Sequence, residues 1–342
     1  MRKAFDVVVV PDFQCHEAAT FEARTLFFLV SWIENAGRGR HFPLHLACIG
    51  DPPSSVCRLA EKANAVISVH QPVGAEGWGA SNKLRGLEIS GQEDRVLMLD
   101  ADIVVLSDLS ELADTDVCIA ASPDTTQQIP EPYWQRIYGG LGMDLPEHRM
   151  LCLRDELAGK PSFGPIFPYY NSGVVFLPWR CDLRTLWEDH IRRITGLFSE
   201  KDEIWQAVAY SDQAGLATSI ESLRRRGIPF ARLPDTFNAN WLHLYWQPLK
   251  LREIKLFHCF GLFRNMVRGL EHVDHELTRY FIKLIQRLVD ECKRDDLSGR
   301  ARRLLPAAGK AFSLSRVLRQ LYGRGVSATV GRAGPKIAQS GV

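Results

Sequence analysis

Apolar residues come in short unbroken runs over the first third of the chain. Val7–Val10, Leu44–Ile49, Ala65–Val69 and Val96–Leu99 show little polar alternation, which predicts strands buried on both faces of a sheet. Glu17–Asn35, Ser54–Ala63 and Ser81–Ile89 lie between them with the mixed spacing of amphipathic helices, and Asn35-Ala-Gly37 supplies a C-terminal stop for the first. Strand and helix in alternation predict an α/β fold, a mainly parallel central sheet flanked by helices. In such sheets ligands gather beyond the carboxyl ends of the strands.

The pattern then loosens. Val117–Ala121 predicts another strand. Pro123 to Pro168 holds seven prolines and the aromatics Tyr133, Trp134 and Tyr138, and predicts a loop-rich lid or substrate wall with those rings exposed. Tyr169–Pro178 reads as a strand with Gly173 inside it, a place for close backbone approach. Helices are expected from Asp182 and around Asp202–Tyr210. Leu233–Asn238 and Ile254–Gly261 are the last core-like pieces before a closing helix, Val273–Asp290.

Composition changes this picture mainly at the C-terminus. With 46% hydrophobic and 24% charged residues the chain is of ordinary globular type. From Cys292 to Val342 there are eleven Lys/Arg against two Asp, so this tail carries +9 and the body −7 within a formal net charge of +2. The expected division is an acidic body domain over 1–291 and a basic tail over 292–342, part amphipathic helix or disordered. Phe312–Tyr322 has apolar residues at 314, 317, 318 and 321 beside Arg316 and Arg319, the spacing of a basic helix that lies on anionic lipid. Nucleic acid is not an expected partner, because the body is acidic and the tail lacks interleaved aromatics. The eight cysteines form no C-x-x-C pair, and Asp6 interrupts the apolar core a signal peptide needs. The expectation is a cytoplasmic protein without a spanning helix, touching the inner face of the membrane peripherally.

The candidate chemistry centres on Asp100 and Asp102, set in the apolar run Arg95–Leu106. Residues i and i+2 of an extended segment share a side. Two carboxylates held together ionise more easily with a cation between them, so the pair suggests a divalent-metal site at a strand end.

Asn82-Lys83-Leu84, Leu99-Asp-Ala-Asp-Ile-Val-Val-Leu106, Asn171-Ser-Gly-Val174, Asp212-Gln213 and His258-x-x-Gly261 follow in one order. This series resembles the family 8 glycosyltransferases, which include glycogenin and bacterial lipopolysaccharide galactosyl- and glucosyltransferases, from about Val7 to Arg264. The resemblance implies a GT-A-type nucleotide-diphospho-sugar transferase fold. It also implies a nucleotide-sugar donor, commonly UDP-linked, Mn2+ (or Mg2+), and transfer of a hexose with retention. The acceptor would be a hydroxyl of a saccharide, glycolipid or protein. Carried onto this chain, Asp100, Asp102 and His258 would hold the metal, and an imidazole in an otherwise oxygen set tilts the choice to Mn2+. Lys83, Ala101, Ser172 and Gly173 would line the donor, with Gly261 and Arg264 at its diphosphate. Asp212, Gln213 and Asn171 would carry the catalytic roles near the sugar.

The chain departs from the family pattern in two places. Gly261-Leu-Phe-Arg-Asn-Met266 stands where glycine is usually followed by lysine, proline and tryptophan. Pro11-Asp-Phe-Gln14 matches the base-binding loop poorly. Two alternatives remain at this point, a catalytically silent carbohydrate- or nucleotide-binding protein and a sugar-1-phosphate nucleotidyltransferase. The second wants a glycine- and base-rich loop after the first strand, which Val10–Gln14 is not. The aromatic cluster Trp241–Trp246 is a candidate stacking surface for an acceptor sugar.

Overall fold

A computed structural model describes residues 4–15, 17–73, 81–89, 91–115, 118–124, 129–154, 162–198, 211–240, 243, 249–259, 280, 283 and 287. The expected helix at Asp202–Tyr210, most of Val273–Asp290, Gly261, Arg264, the Trp241–Trp246 aromatics and the basic tail lie outside the described residues.

The strands are β1 (Asp6–Val9), β2 (Leu44–Ile49), β3 (Ala65–His70), β4 (Arg95–Leu99), β5 (Ile103–Val105), β6 (Ile119–Pro123), β7 (Met150–Arg154), β8 (Ser162–Ile166), β9 (Tyr170–Pro178), β10 (Phe230–Arg232) and β11 (Leu256–His258). The α-helices are α1 (Ala18–Asn35), α2 (Ser54–Lys62), α3 (Glu131–Leu141), α4 (Leu183–Leu197) and α5 (Ser211–Arg225). Seven strands form one sheet in the order β10-β6-β9-β4-β1-β2-β3. Every neighbouring pair is parallel except the two made by β9. This is the mainly parallel, helix-flanked sheet that the strand–helix alternation predicts.

Alternate residues of each strand feed two cores. Val7, Val9, Leu46, Leu97 and Phe176 pack with Phe28 and Trp32 of α1 and Val56 of α2. Val8, Ile49, Met98 and Val175 pack with Trp134 of α3, Trp187 of α4 and Leu216 of α5. Each fully buried large side chain contributes roughly 1.5–3 kcal/mol. Below the sheet, the buried Asp6 carboxylate accepts hydrogen bonds from Trp179 Nε1 (2.7 Å), Glu93 N (2.9 Å) and Gln92 N (3.1 Å), and meets His45 Nε2 at 2.9 Å.

The structure corrects three expectations. β3 is the sheet's outer strand, with Val66 53% and Val69 52% exposed, so it is not buried on both faces. Trp134 and Tyr138 are buried rather than exposed. They sit on α3, whose Pro130 and Pro132 fall at the cap and first turn, where a missing N–H costs nothing. Ser81–Leu87 is a 3-10 helix rather than an α-helix, pressed on the sheet where a Cβ at Gly86 would stand 2.7 Å from Val8 and Val10 methyls. Among the described residues, no helix is long and apolar enough to cross a membrane.

Candidate active site

Four segments meet at the carboxyl end of β4. Asp100 follows its last residue directly, and its N–H donates to Gly173 O of β9 at 2.9 Å. The chain then turns into β5, which pairs antiparallel with β11 so that Ile103 faces His258. This two-stranded clip carries the third ligand candidate to the two aspartates. The backbone tightens it, since Cys259 N donates to Asp102 O at 2.9 Å. Helix α1 holds its back, where Ser31 Oγ accepts from Val105 N (3.0 Å) and Asn35 Nδ2 donates to Val105 O (2.8 Å).

Donor atoms of Asp100, Asp102 and His258 all lie within 4.8 Å of one another. His258 Nε2 is 3.1 Å from Asp102 Oδ1 and 3.9 Å from Asp100 Oδ2. Its other nitrogen, Nδ1, meets Asn238 Oδ1 at 3.0 Å. With that oxygen as acceptor, a proton on Nδ1 would free the Nε2 lone pair for an ion bound between His258 and the acids, the tautomer a ligating histidine needs; without an ion, Nε2 stands at hydrogen-bond distance from Asp102. Two carboxylates and an imidazole suit Mn2+ or Mg2+, so the residues present fit such an ion. Gly173 makes the room: a Cβ there would lie 2.5 Å from His258 Cε1 and 2.8 Å from Asp100 Oδ2.

Lys83 joins this group to the catalytic candidates. Its Nζ donates to Ser172 Oγ (2.7 Å) and lies 3.0 Å from both Asp100 Oδ1 and Asp212 Oδ2. Ser172 Oγ in turn donates to Asp212 Oδ2 at 2.6 Å. Burial opposes the charge on Lys83, but Asp100 and Asp212 outweigh it and raise its pKa. Burial likewise opposes the charge on Asp102, while the neighbouring His258, Arg24 and Lys83 prevail and hold its carboxyl below the usual carboxylate range. Asp212 and Gln213 open α5 and are buried. Trp187 Nε1 of α4 anchors that turn by donating to Asp212 O at 2.6 Å.

Asn171 Oδ1 accepts from Gly173 N (2.9 Å), while its Nδ2 and Gln213 Oε1 are buried without a hydrogen-bond partner. A spare donor and a spare acceptor at one site suit the hydroxyls of a bound molecule. Ala101 is buried in the α1-side core.

Two residues that sequence reasoning missed belong to this place. Asn238 sits in Leu233–Asn238, which reads only as core-like. Arg24 looks like a polar position of an amphipathic helix, yet its Nη2 is 3.8 Å from Asp102 Oδ2. Asn82, beside Lys83, donates from Nδ2 to Asp12 Oδ2 (2.7 Å) and accepts from Val73 N (2.8 Å), which ties the loop after β1 to the same segment.

Comparison with curated proteins finds no match. Among solved structures, the galactosyltransferase LgtC in complex with donor and acceptor sugar analogs is similar over 87% of this chain and 99% of its own. It has 15% identity and a TM-score of 0.49. Mouse xyloside xylosyltransferase 1 in its apo form covers 75% and 97%, with 13% identity and a TM-score of 0.44. The glycosyltransferase GlyE of Streptococcus pneumoniae TIGR4 covers 75% of this chain at 15% identity and a TM-score of 0.44, and this chain spans 54% of it. The Rhodobacterales glycosyltransferase domain model matches residues 50–224, over half of the 342 residues. That stretch runs through Lys83, Asp100, Asp102, Asn171–Gly173 and Asp212-Gln213, and by it the chain belongs to the Rhodobacterales glycosyltransferase domain family and is a glycosyltransferase.

Proposed function

We propose that this glycosyltransferase moves a hexose from a UDP-linked donor to a hydroxyl of a saccharide, glycolipid or protein acceptor, with retention. Mn2+, or Mg2+, would be held by Asp100, Asp102 and His258. The observation that carries the reading is their convergence at the carboxyl end of β4, with Lys83 bridging from Asp100 to Asp212. An ion bound there would offset the negative charge that gathers on the departing diphosphate.

In the transfer, the bond from the anomeric carbon to the diphosphate oxygen breaks and one to the acceptor oxygen forms. The acceptor hydroxyl passes its proton to the departing diphosphate oxygen, which has taken the electron pair of the broken bond. Lys83 supplies positive charge on the diphosphate side. The Asp212 carboxylate, held by Ser172 and Lys83, opposes the positive charge that builds on the sugar ring. Asn171 Nδ2 and Gln213 Oε1 orient the sugar hydroxyls. The assay is release of UDP from UDP-glucose, UDP-galactose and UDP-N-acetylglucosamine with Mn2+ or with EDTA. One donor is expected to turn over only with the metal, and Asp102→Asn should lower the rate at least about 100-fold. Release that persists in EDTA and in the variant would sink the metal-dependent reading.

A further inference from the structure

Arg24 is oddly placed for a helix-surface arginine. It lies on α1, only 17% exposed, with its guanidinium 5.3 Å above the Phe21 ring. Its Nε is buried without a hydrogen-bond partner, and its charge contact is the 3.8 Å approach to Asp102 Oδ2. A buried guanidinium so sparsely bonded adds little stability, since burial costs more than one long ion pair returns. Stability therefore does not explain the residue.

Its position in the site does. Asp102 turns Oδ1 to His258 Nε2 and Oδ2 to Arg24. Asp100 meets Lys83 Nζ through Oδ1 at 3.0 Å and through Oδ2 at 3.4 Å, with Oδ2 also turned to the His258 side. Each aspartate that faces the metal position thus also carries a cation of the protein. A bare divalent ion meets two acids already half neutralised, with two positive charges nearby. An ion already chelated by a diphosphate brings compensating negative charge, and the same two cations then attract it.

Resting on the metal reading above, we infer that Arg24 is a positioning residue that makes metal binding depend on the diphosphate. It suppresses uptake of the free ion and couples ion and nucleotide into one binding event. By linkage, the factor by which a nucleotide tightens the metal equals the factor by which the metal tightens the nucleotide. Arg24 sets a share of that factor. It falls outside the five motifs that carry the family resemblance and outside the family match at residues 50–224.

The test titrates Mn2+ into the full chain, with free ion followed by electron paramagnetic resonance, with and without UDP. The chains are wild type, Arg24→Met, which keeps an apolar stem, and Arg24→Lys. Arg24→Met should bind Mn2+ alone roughly tenfold more tightly, and the tightening by UDP should shrink by a similar factor. Arg24→Lys should stay near wild type. Melting curves establish that each variant is folded, and Arg24→Gln replaces Arg24→Met if the latter is not. An Arg24→Met chain whose Mn2+ affinity without UDP equals or falls below wild type overturns the inference and leaves the metal site standing. A wild-type chain that takes up no Mn2+ under either condition overturns the metal reading, and this inference with it.

Discussion

His258 is held from two sides. β11 fixes its backbone against β5, and Asn238 fixes its ring. Neither constraint comes from Asp100 or Asp102, so under the proposed metal site the orientation of the ring and the ligand chemistry can be separated by mutation. Asn238→Ala should leave the fold intact and weaken Mn2+ binding about 10–100-fold, read from an Mn2+ titration in the presence of UDP. An unchanged affinity would mean the ring is oriented without the amide. At this scale the sequence is legible where chemistry clusters within a few positions. Asp100 and Asp102 declare themselves because two acids interrupt an apolar run. Asn238 and Arg24 do not, because their neighbours along the chain are ordinary and only the bridge of Ala239 to Phe257 of β11 and the packing of α1 bring them to the acids.

The elements divide the labour of the site. The β5–β11 clip carries Asp102 and His258 at its ends, while α5 carries Asp212 and Gln213 and is positioned by α4. Where the two helices cross, a Cβ at Gly215 would lie 2.8 Å from Ile191 Cγ1 and 3.2 Å from Ile191 N. Backbone as well as side chain would have to yield. Gly215→Ala should therefore cost about 1–3 kcal/mol in a urea melt. By shifting α5 at Asp212 it should lower turnover while Mn2+ affinity stays at wild type. Loss of both together would show that the clip and the helix are one mechanical unit.

Element by element, the short apolar strands other than β3 were readable because burial on both faces leaves no other pattern. α3 was not readable. Its prolines mimic a loop, although Trp134, Ile137, Tyr138 and Leu141 bury one helical face. The 3-10 form of Ser81–Leu87 escaped for a related reason. It depends on how closely Gly86 approaches the sheet, and one sequence does not state distances.

At the scale of the whole molecule, two buried titratable groups among the described residues show how the fold responds to acid. Burial lowers the pKa of His190 from 6.5 to about 4, and it stays neutral with Nδ1 2.9 Å from Thr218 Oγ1. A depressed histidine leaves stability complete above about pH 6.5. Stability then falls as the unfolded chain takes up the proton first, until the folded form follows at about 4. That window is worth about 3 kcal/mol. Burial pushes the Asp6 carboxyl up, but His45 and the donors Glu93 N, Trp179 and Gln92 N bring it below 3.8. Its contribution is present above that value and is lost only as the pH drops further. Acid should thus weaken the protein in two stages. His190→Gln, which retains a polar partner for Thr218, should flatten the decline in urea midpoint between pH 6.5 and 4. A slope identical to wild type would remove His190 from the account.

The reversed direction of β9 has one more consequence. A parallel strand of this sheet offers ligands only its last residue and the loop beyond. β9 enters the sheet at that same edge, so Asn171, Ser172 and Gly173 lie inside hydrogen-bonded structure rather than on a loop. Half of the site is therefore made of framework. Any attempt to redirect the enzyme to a new sugar by exchanging loops would leave that half untouched. Changes to the three residues themselves would be felt through the middle of the sheet.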